Sequence, residues 1–166
     1  MNNTRAALLT GANMGNRYEN LTQARLKLEQ MLGPVCLASA IYSTQAWGGK
    51  STAAYLNQVL VFEVKITAQE LLDICLKVEL ELGRVRGEER WTDRTMDIDI
   101  LVFGEQQQCP QLQLPHPRLH ERRFALVPLM EVWPQWLHPD LKRTTAELLE
   151  ACTDTLEVVK SEEVKA

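Results

Sequence analysis

Asp97 and Asp99 sit in the stretch "TMDIDILVFG" (95–104), where they alternate with Ile98 and Ile100. On a β-strand, residues two apart project to one face, so both carboxylates point one way and both isoleucines the other. Adjacent carboxylates repel and raise each other's pKa unless a cation lies between or beside them. Two chemistries satisfy such a pair. One is Mg²⁺, held by one or two carboxylates with phosphate oxygens completing its shell. The other is a salt bridge to Arg90 or Arg94 with no metal.

The surrounding basic residues bear on that choice. Arg84, Arg86, Arg90 and Arg94 lie in one loop, and Gly83 and Gly87 give that loop freedom to move. Downstream, His116, Arg118, Arg122 and Arg123 add further donors. Guanidinium groups bind phosphate oxygens through paired N–H donors. A chain of net charge -4 that gathers arginine around one acidic pair suits a small, highly anionic ligand. A nucleoside triphosphate with Mg²⁺ is the natural candidate.

Two weaker patterns fail. "WGGKST" (47–52) has the end of a phosphate-binding loop, but the first glycine of that motif would fall on Thr44, and the residues after it read as strand, not helix. His116 and His120 are spaced like zinc ligands on a helix, but Pro115 and Pro117 in "PHPRLH" oppose a helix there, and no further ligand accompanies them.

The elements that must position these groups follow from pattern. "RAALLTG" (5–11) reads as a first strand. "YENLTQARLKLEQML" (18–32) carries apolar residues at helical period and ends at Gly33-Pro34. "VCLASAIYS" (35–43) and "AYLNQVLVFEVKI" (54–66) are rich in β-formers. Thr67 and Glu70 make a capping box for a helix running to Gly83. After the arginine loop comes the strand "DIDILVF". The order β-α-β-β-α-β is that of a ferredoxin-like core in an α+β fold. A C-terminal helical and strand extension follows. It includes a short helix, "ERRFALVPLMEV", interrupted or kinked near Pro128, and a second T-x-x-E start at Thr144 and Glu147.

The 166 residues, 45% hydrophobic and 24% charged, are expected to fold as one domain over 1–166, fraying from about residue 160. The acidic balance disfavours a general nucleic-acid binder. No apolar run approaches the roughly 18 residues of a membrane span, and the first residues lack the pattern of a signal peptide. Cys36, Cys75, Cys109 and Cys152 form no C-x-x-C pair, which favours reduced thiols over zinc or disulfides. A cytoplasmic monomer acting on small molecules is expected, with no nucleic-acid or membrane partner.

The segments "GRVRGEERWTDRTMDIDILVFG" (83–104) and "LPHPRLHERRFALVPLMEV" (114–132) resemble the 6-hydroxymethyl-7,8-dihydropterin pyrophosphokinases of folate biosynthesis. "LLTGANMGN", "AIYST" and "AYLNQVL" extend the resemblance over most of the chain, in the family's order. It implies transfer of the β,γ-diphosphoryl unit of ATP to the hydroxymethyl group of a reduced pterin, with release of AMP. On this resemblance Asp97 and Asp99 match the carboxylates that hold two Mg²⁺ ions. Arg84 and Arg94 match loop arginines that reach the phosphates during the chemical step. Arg86, Arg90, Trp91, Ile100, His116 and Arg122 match the ATP site. Thr44, Tyr55 and Asn57 match the polar contacts and loop support of the pterin site, and Phe124 matches a ring that stacks on the heterocycle.

The chain departs from the family pattern at several positions. Gln45-Ala46-Trp47 follows Thr44 where proline is usual, and Trp47 supplies an apolar wall to the pterin. Pro117 replaces an aromatic beside the adenine, Leu76 a glutamine near the nucleotide, and Ala12 a serine in the first turn. The metal and phosphate groups are intact. A non-catalytic ferredoxin-like nucleotide-binding module and a Mg²⁺-dependent nuclease or nucleotidyltransferase are the rival readings. The first has no use for carboxylates beside an anion, and the acidic chain speaks against the second.

Overall fold

The computed structural model describes residues 2–44, 54–83, 96–105 and 111–161. Strand β1 (Thr4–Ala12) leads to helix α1 (Arg17–Leu32), short strands β2 (Leu37–Ala38) and β3 (Tyr42–Thr44), and the long strand β4 (Tyr55–Val64). Helix α2 (Ala68–Glu81) and strand β5 (Asp97–Phe103) complete the first half. A 3-10 turn (Leu119–Glu121), helices α3 (Arg123–Val132) and α4 (Thr145–Ala151), and strand β6 (Val158–Lys160) follow. The sheet order is β5-β1-β4-β3-β6 with β2 also on β4, and every pairing is antiparallel. The expected β-α-β-β-α-β frame is present, with its final strand on the outer side of β1.

Local chemistry sets the helix ends. Asn16 caps α1 by accepting the Glu19 N–H at 3.1 Å, and Gly33 at φ 92° closes the helix in a region that favours glycine. The Thr67–Glu70 box opens α2, with reciprocal hydrogen bonds of 3.1 and 2.7 Å. The Thr144–Glu147 box does the same for α4. Each places two N-terminal N–H groups on side-chain oxygens.

Helices α1 and α2 cover one face of the sheet, burying Leu8, Leu60, Phe62, Ile98 and Ile100 with Leu28, Leu71 and Val78. Helices α3 and α4 cover the other, with Leu9, Val59, Val61 and Leu101 against Leu126, Leu129 and Leu148. The central strands are therefore apolar on both faces, which is why β4 reads as "LVF" without polar alternation. Pro128 lies buried within α3, which continues on both sides of it as one element, although proline offers no N–H to the carbonyl of Phe124.

Two elements differ from the sequence pattern. Residues 35–43, expected as one strand, divide into β2 and β3. The Ser39 hydroxyl accepts the Val59 N–H at 2.9 Å and donates to the Ala40 carbonyl at 2.7 Å. A side chain has thus replaced a main-chain acceptor, and the regular ladder stops there. At the C-terminus, β6 pairs Lys160 with Tyr42, and the Ser161 N–H donates to the Ile41 carbonyl at 2.8 Å.

Candidate active site

Strand β5 is the last strand of the described sheet on one side and carries the acidic pair. Ile98 and Ile100 enter the α1/α2 core, while Asp97 and Asp99 are half-buried on the opposite face. Register extends that face across the sheet. Asp97 pairs with Gly11, Gly11 with Asn57, and Asn57 with Tyr42. Thr44 pairs with Tyr55, two residues before Asn57. Directly paired residues share a face, as do residues two apart. Asp97, Asp99, Asn57, Tyr55 and Thr44 therefore lie on one side of the sheet, beside α3.

Gly11 occupies the centre of that row. A Cβ at this position would stand 2.6 Å from Asn57 Oδ1. Its backbone is not among those with positive φ, so the requirement is for space, not for an unusual conformation. At the start of β4, the Arg17 guanidinium donates to the Ala54 carbonyl at 2.9 Å, holding the residue just before Tyr55.

A register shift sets the other wall. Ala7 pairs with Val102 and Leu8 with Ile100, so Leu101 is an extra residue in β5. Both Leu101 and Val102 enter the α3/α4 core, and the Leu101 carbonyl accepts the His116 N–H at 2.9 Å. That bond ties the returning chain to the aspartate strand. His116 Nδ1 accepts the Arg118 N–H at 3.2 Å, which leaves Nε2 as the protonated nitrogen of the neutral ring. Burial, then the charges of Arg122 and Arg118, push the His116 pKa down to about 4, with Asp97 opposing. The ring is neutral at physiological pH.

Arg122 precedes α3 and joins the two halves of the site. Its Nη1 lies 3.8 Å from Asp99 Oδ2, and its guanidinium carbon lies 5.6 Å from the centre of the Phe124 ring. Burial lowers its pKa, Asp99 acts in the opposite direction, and Arg118 adds to the lowering. A guanidinium stays charged through such changes. Arg123 begins the helix, and its N–H donates to Asp154 Oδ2 at 3.1 Å.

The sequence-predicted residues thus divide into three groups. Asp97, Asp99, Asn57, Tyr55, Thr44, His116, Arg122 and Phe124 converge on one face. Ile100 does not: its side chain is buried in the opposite core. Trp47, Arg84, Arg86, Arg90, Trp91 and Arg94 lie outside the described residues, as do "WGGKST", Gln45 and Ala46. Of the departures, Pro117 is exposed, Leu76 is half-buried and Ala12 is fully buried.

Residues 7–134 match the family model described as 7,8-dihydro-6-hydroxymethylpterin-pyrophosphokinase, HPPK. The chain belongs to the HPPK family. Curated relatives named 2-amino-4-hydroxy-6-hydroxymethyldihydropteridine pyrophosphokinase support this. The Porphyromonas gingivalis protein is 36% identical over 80% of this chain and 92% of its own length. The Bacillus subtilis protein is 40% identical over 81% of each. The Methylorubrum extorquens protein is 41% identical over 79% of this chain and 84% of its own. Among solved structures, an HPPK-DHPS in complex with substrates aligns with TM-score 0.73 and 12% identity, covering 91% of this chain and 43% of that one. Wild-type Plasmodium falciparum HPPK-DHPS aligns at 0.69 and 14%, covering 90% and 44%. These longer chains establish the HPPK fold, of which this chain spans less than half their length.

Three contributors to this candidate site escape a reading of motifs. Gly11 is one. Glu131 is another: it accepts the Tyr42 hydroxyl at 2.5 Å and the Ala40 N–H at 2.7 Å, fixing β3 to α3. Burial, then this hydrogen bond and the Glu131 charge, push the Tyr42 pKa up to about 12. The third is Glu79, only 1% exposed, whose Oε2 accepts the Ile98 N–H at 2.7 Å. Its signal was available, because an acidic residue stands where α2 otherwise buries Leu71, Cys75 and Val78.

Proposed function

We propose that the face carrying Asp97, Asp99, Arg122 and Phe124 performs the HPPK reaction. ATP donates its β,γ-diphosphoryl unit to the hydroxymethyl oxygen of 6-hydroxymethyl-7,8-dihydropterin, leaving AMP and the pterin diphosphate. The observation that carries this reading is Arg122, 3.8 Å from Asp99 and 5.6 Å from the Phe124 ring. One cation thereby links the acidic pair to an aromatic surface suited to a flat heterocycle.

The donor set fits Mg²⁺. Two half-buried carboxylates on one face offer oxygen ligands only, and a polyphosphate supplies the remainder. We assign two ions to Asp97 and Asp99. Bound there, they would neutralise phosphate charge and acidify the substrate hydroxyl. Catalysis of such transfers rests on positioning and charge neutralisation, so no protein general base is required.

The chain's own residues divide the remaining work. Phe124 stacks on the pterin, while Thr44, Tyr55 and Asn57 present polar groups to it and Trp47 closes the apolar side. Arg122 offers N–H donors to phosphate oxygens while balancing Asp99. Neutral His116 offers its Nε2–H to the nucleotide. Arg86, Arg90 and Trp91 line the same ATP site. Ile100 contributes through its main chain, since its side chain is committed to the core. Arg84 and Arg94 reach the phosphates late, as their loop closes and excludes water that would otherwise hydrolyse ATP.

The same reading takes the chain as one domain acting as a cytoplasmic monomer on small molecules. The shared sheet supports the first point, and the free thiols of Cys36, Cys75 and Cys152 support the compartment. Among the described residues no helix is long and apolar enough to cross a membrane.

Asp97→Ala and Asp99→Ala test the assignment. Each is expected to lower turnover by at least about 1000-fold, the scale of losing a principal electrostatic group. Turnover close to wild type in either variant contradicts it.

A further inference from the structure

We propose that Glu79 is a positioning residue for the acidic pair, acting through the main chain of β5. The proposal rests on Asp97 and Asp99 being the working carboxylates.

Glu79 is costly where it stands. It is 1% exposed and lies in the last turn of α2. Burial disfavours a carboxylate, and a helix C-terminus presents carbonyls that disfavour negative charge. Asp97 and Asp99 lie on the opposite face of β5. The charges of Glu79 and Asp99 both act on the buried Cys75 thiol, adding to the rise that burial imposes on its pKa. Packing alone would be served better by leucine, which α2 uses at Leu71.

What Glu79 provides is a hydrogen bond at one particular amide. The Ile98 N–H lies between the two aspartates, and Glu79 Oε2 accepts it at 2.7 Å. Strand β5 is the last of the described sheet on this side. An amide on the outer edge of a terminal strand has no further strand to bond. With that N–H held from α2 and the strand paired to β1 on its other side, the backbone of residues 97–99 is fixed on two sides. The Cα–Cβ directions of both aspartates are fixed with it. Side chains that bind or catalyse lose rate steeply when their supports allow small displacements.

The role requires an acceptor, not a charge, which makes it separable by substitution. Glu79→Gln keeps a carbonyl oxygen for the Ile98 N–H, and Glu79→Leu removes it at similar volume. Two measurements are made on each full-length variant: steady-state kinetics with ATP and the pterin, and hydrogen exchange of the Ile98 amide by NMR. Ile98 is expected to be protected in the wild type and in Glu79→Gln, and to exchange at least about tenfold faster in Glu79→Leu. In Glu79→Leu, kcat is expected to fall by about 10- to 100-fold with the pterin KM within about twofold, and Glu79→Gln to retain kcat within about threefold.

The proposal is overturned by wild-type kcat in a folded Glu79→Leu protein. It is equally overturned by Glu79→Gln losing as much as Glu79→Leu while Ile98 stays protected, which would make charge the operative property. A rise in the ATP KM alone would place Glu79 on the nucleotide instead. Should Glu79→Leu fail to fold, the wild-type exchange decides, because an unprotected Ile98 amide removes the premise. Exchange is read without turnover, so failure of the clamp is distinguishable from failure of the reaction assigned above.

Discussion

Gly11→Ala isolates the contact at the centre of the site. A Cβ there would stand 2.6 Å from Asn57 Oδ1, against 3.4 Å or more for an ordinary contact, so the carboxamide must retreat by about 0.8 Å. The Leu56 carbonyl, at 3.7 Å, is undisturbed. The backbone tolerates alanine because Gly11 is not at positive φ. Overpacking in a close-packed site costs roughly 1–3 kcal/mol, and the lower chain entropy of alanine in a strand offsets part of it. A net loss of stability of about 1 kcal/mol is therefore expected. The larger effect is expected on the pterin, through the contact proposed for Asn57. Displacing a buried amide from its ligand costs roughly 1–3 kcal/mol, equivalent to about a 5- to 150-fold rise in KM. The assay is initial-rate kinetics with each substrate varied, in Gly11→Ala, Asn57→Ala and the double variant. The pterin KM should rise while the ATP KM stays within about twofold, and Gly11→Ala should cost almost nothing in the Asn57→Ala background. Additive losses, or an unchanged pterin KM, would refute the reasoning.

Two further outcomes follow from the same geometry. His116 has a folded pKa of about 4 against an ordinary 6.5. Between those values the unfolded chain takes up a proton that the folded chain does not, so stability falls as pH drops through that window. The full effect is on the order of 3 kcal/mol, and His116→Asn should flatten this part of the curve in denaturant titrations at pH 7.5, 5 and 4. A slope unchanged by the substitution contradicts the environment assigned to the ring. Arg84→Ala should lower kcat with little change in the ATP KM, as the role proposed for it in the chemical step requires; a pure rise in that KM would move it to ground-state binding.

Much of the frame was legible because its signals are local. The capping boxes at Thr67–Glu70 and Thr144–Glu147 and the Ile/Asp alternation of β5 each follow from neighbours within a few residues. The aspartate face was legible for the same reason, since strand period alone separates Asp97 and Asp99 from Ile98 and Ile100. The rest depends on partners distant in sequence. Ser39 divides β2 from β3 by accepting the N–H of Val59, 20 residues away. Strand β6 is three residues long and exists through pairing with β3. Nothing in the local sequence of Gly11 announces Asn57, and nothing around Ile98 announces Glu79. Glu131 is similar, since its reach to Tyr42 spans 89 residues. Ile100 teaches the converse: a motif match can mark a backbone position whose side chain serves the core.

The central claim is that one face of this sheet transfers a diphosphoryl group from ATP to a reduced pterin. AMP formation measures it directly. Purified protein with Mg²⁺ and ATP should release AMP when 6-hydroxymethyl-7,8-dihydropterin is present, in equal amount to the pterin diphosphate formed, and almost none when it is absent. AMP release independent of the pterin, or ADP as the product, would contradict it.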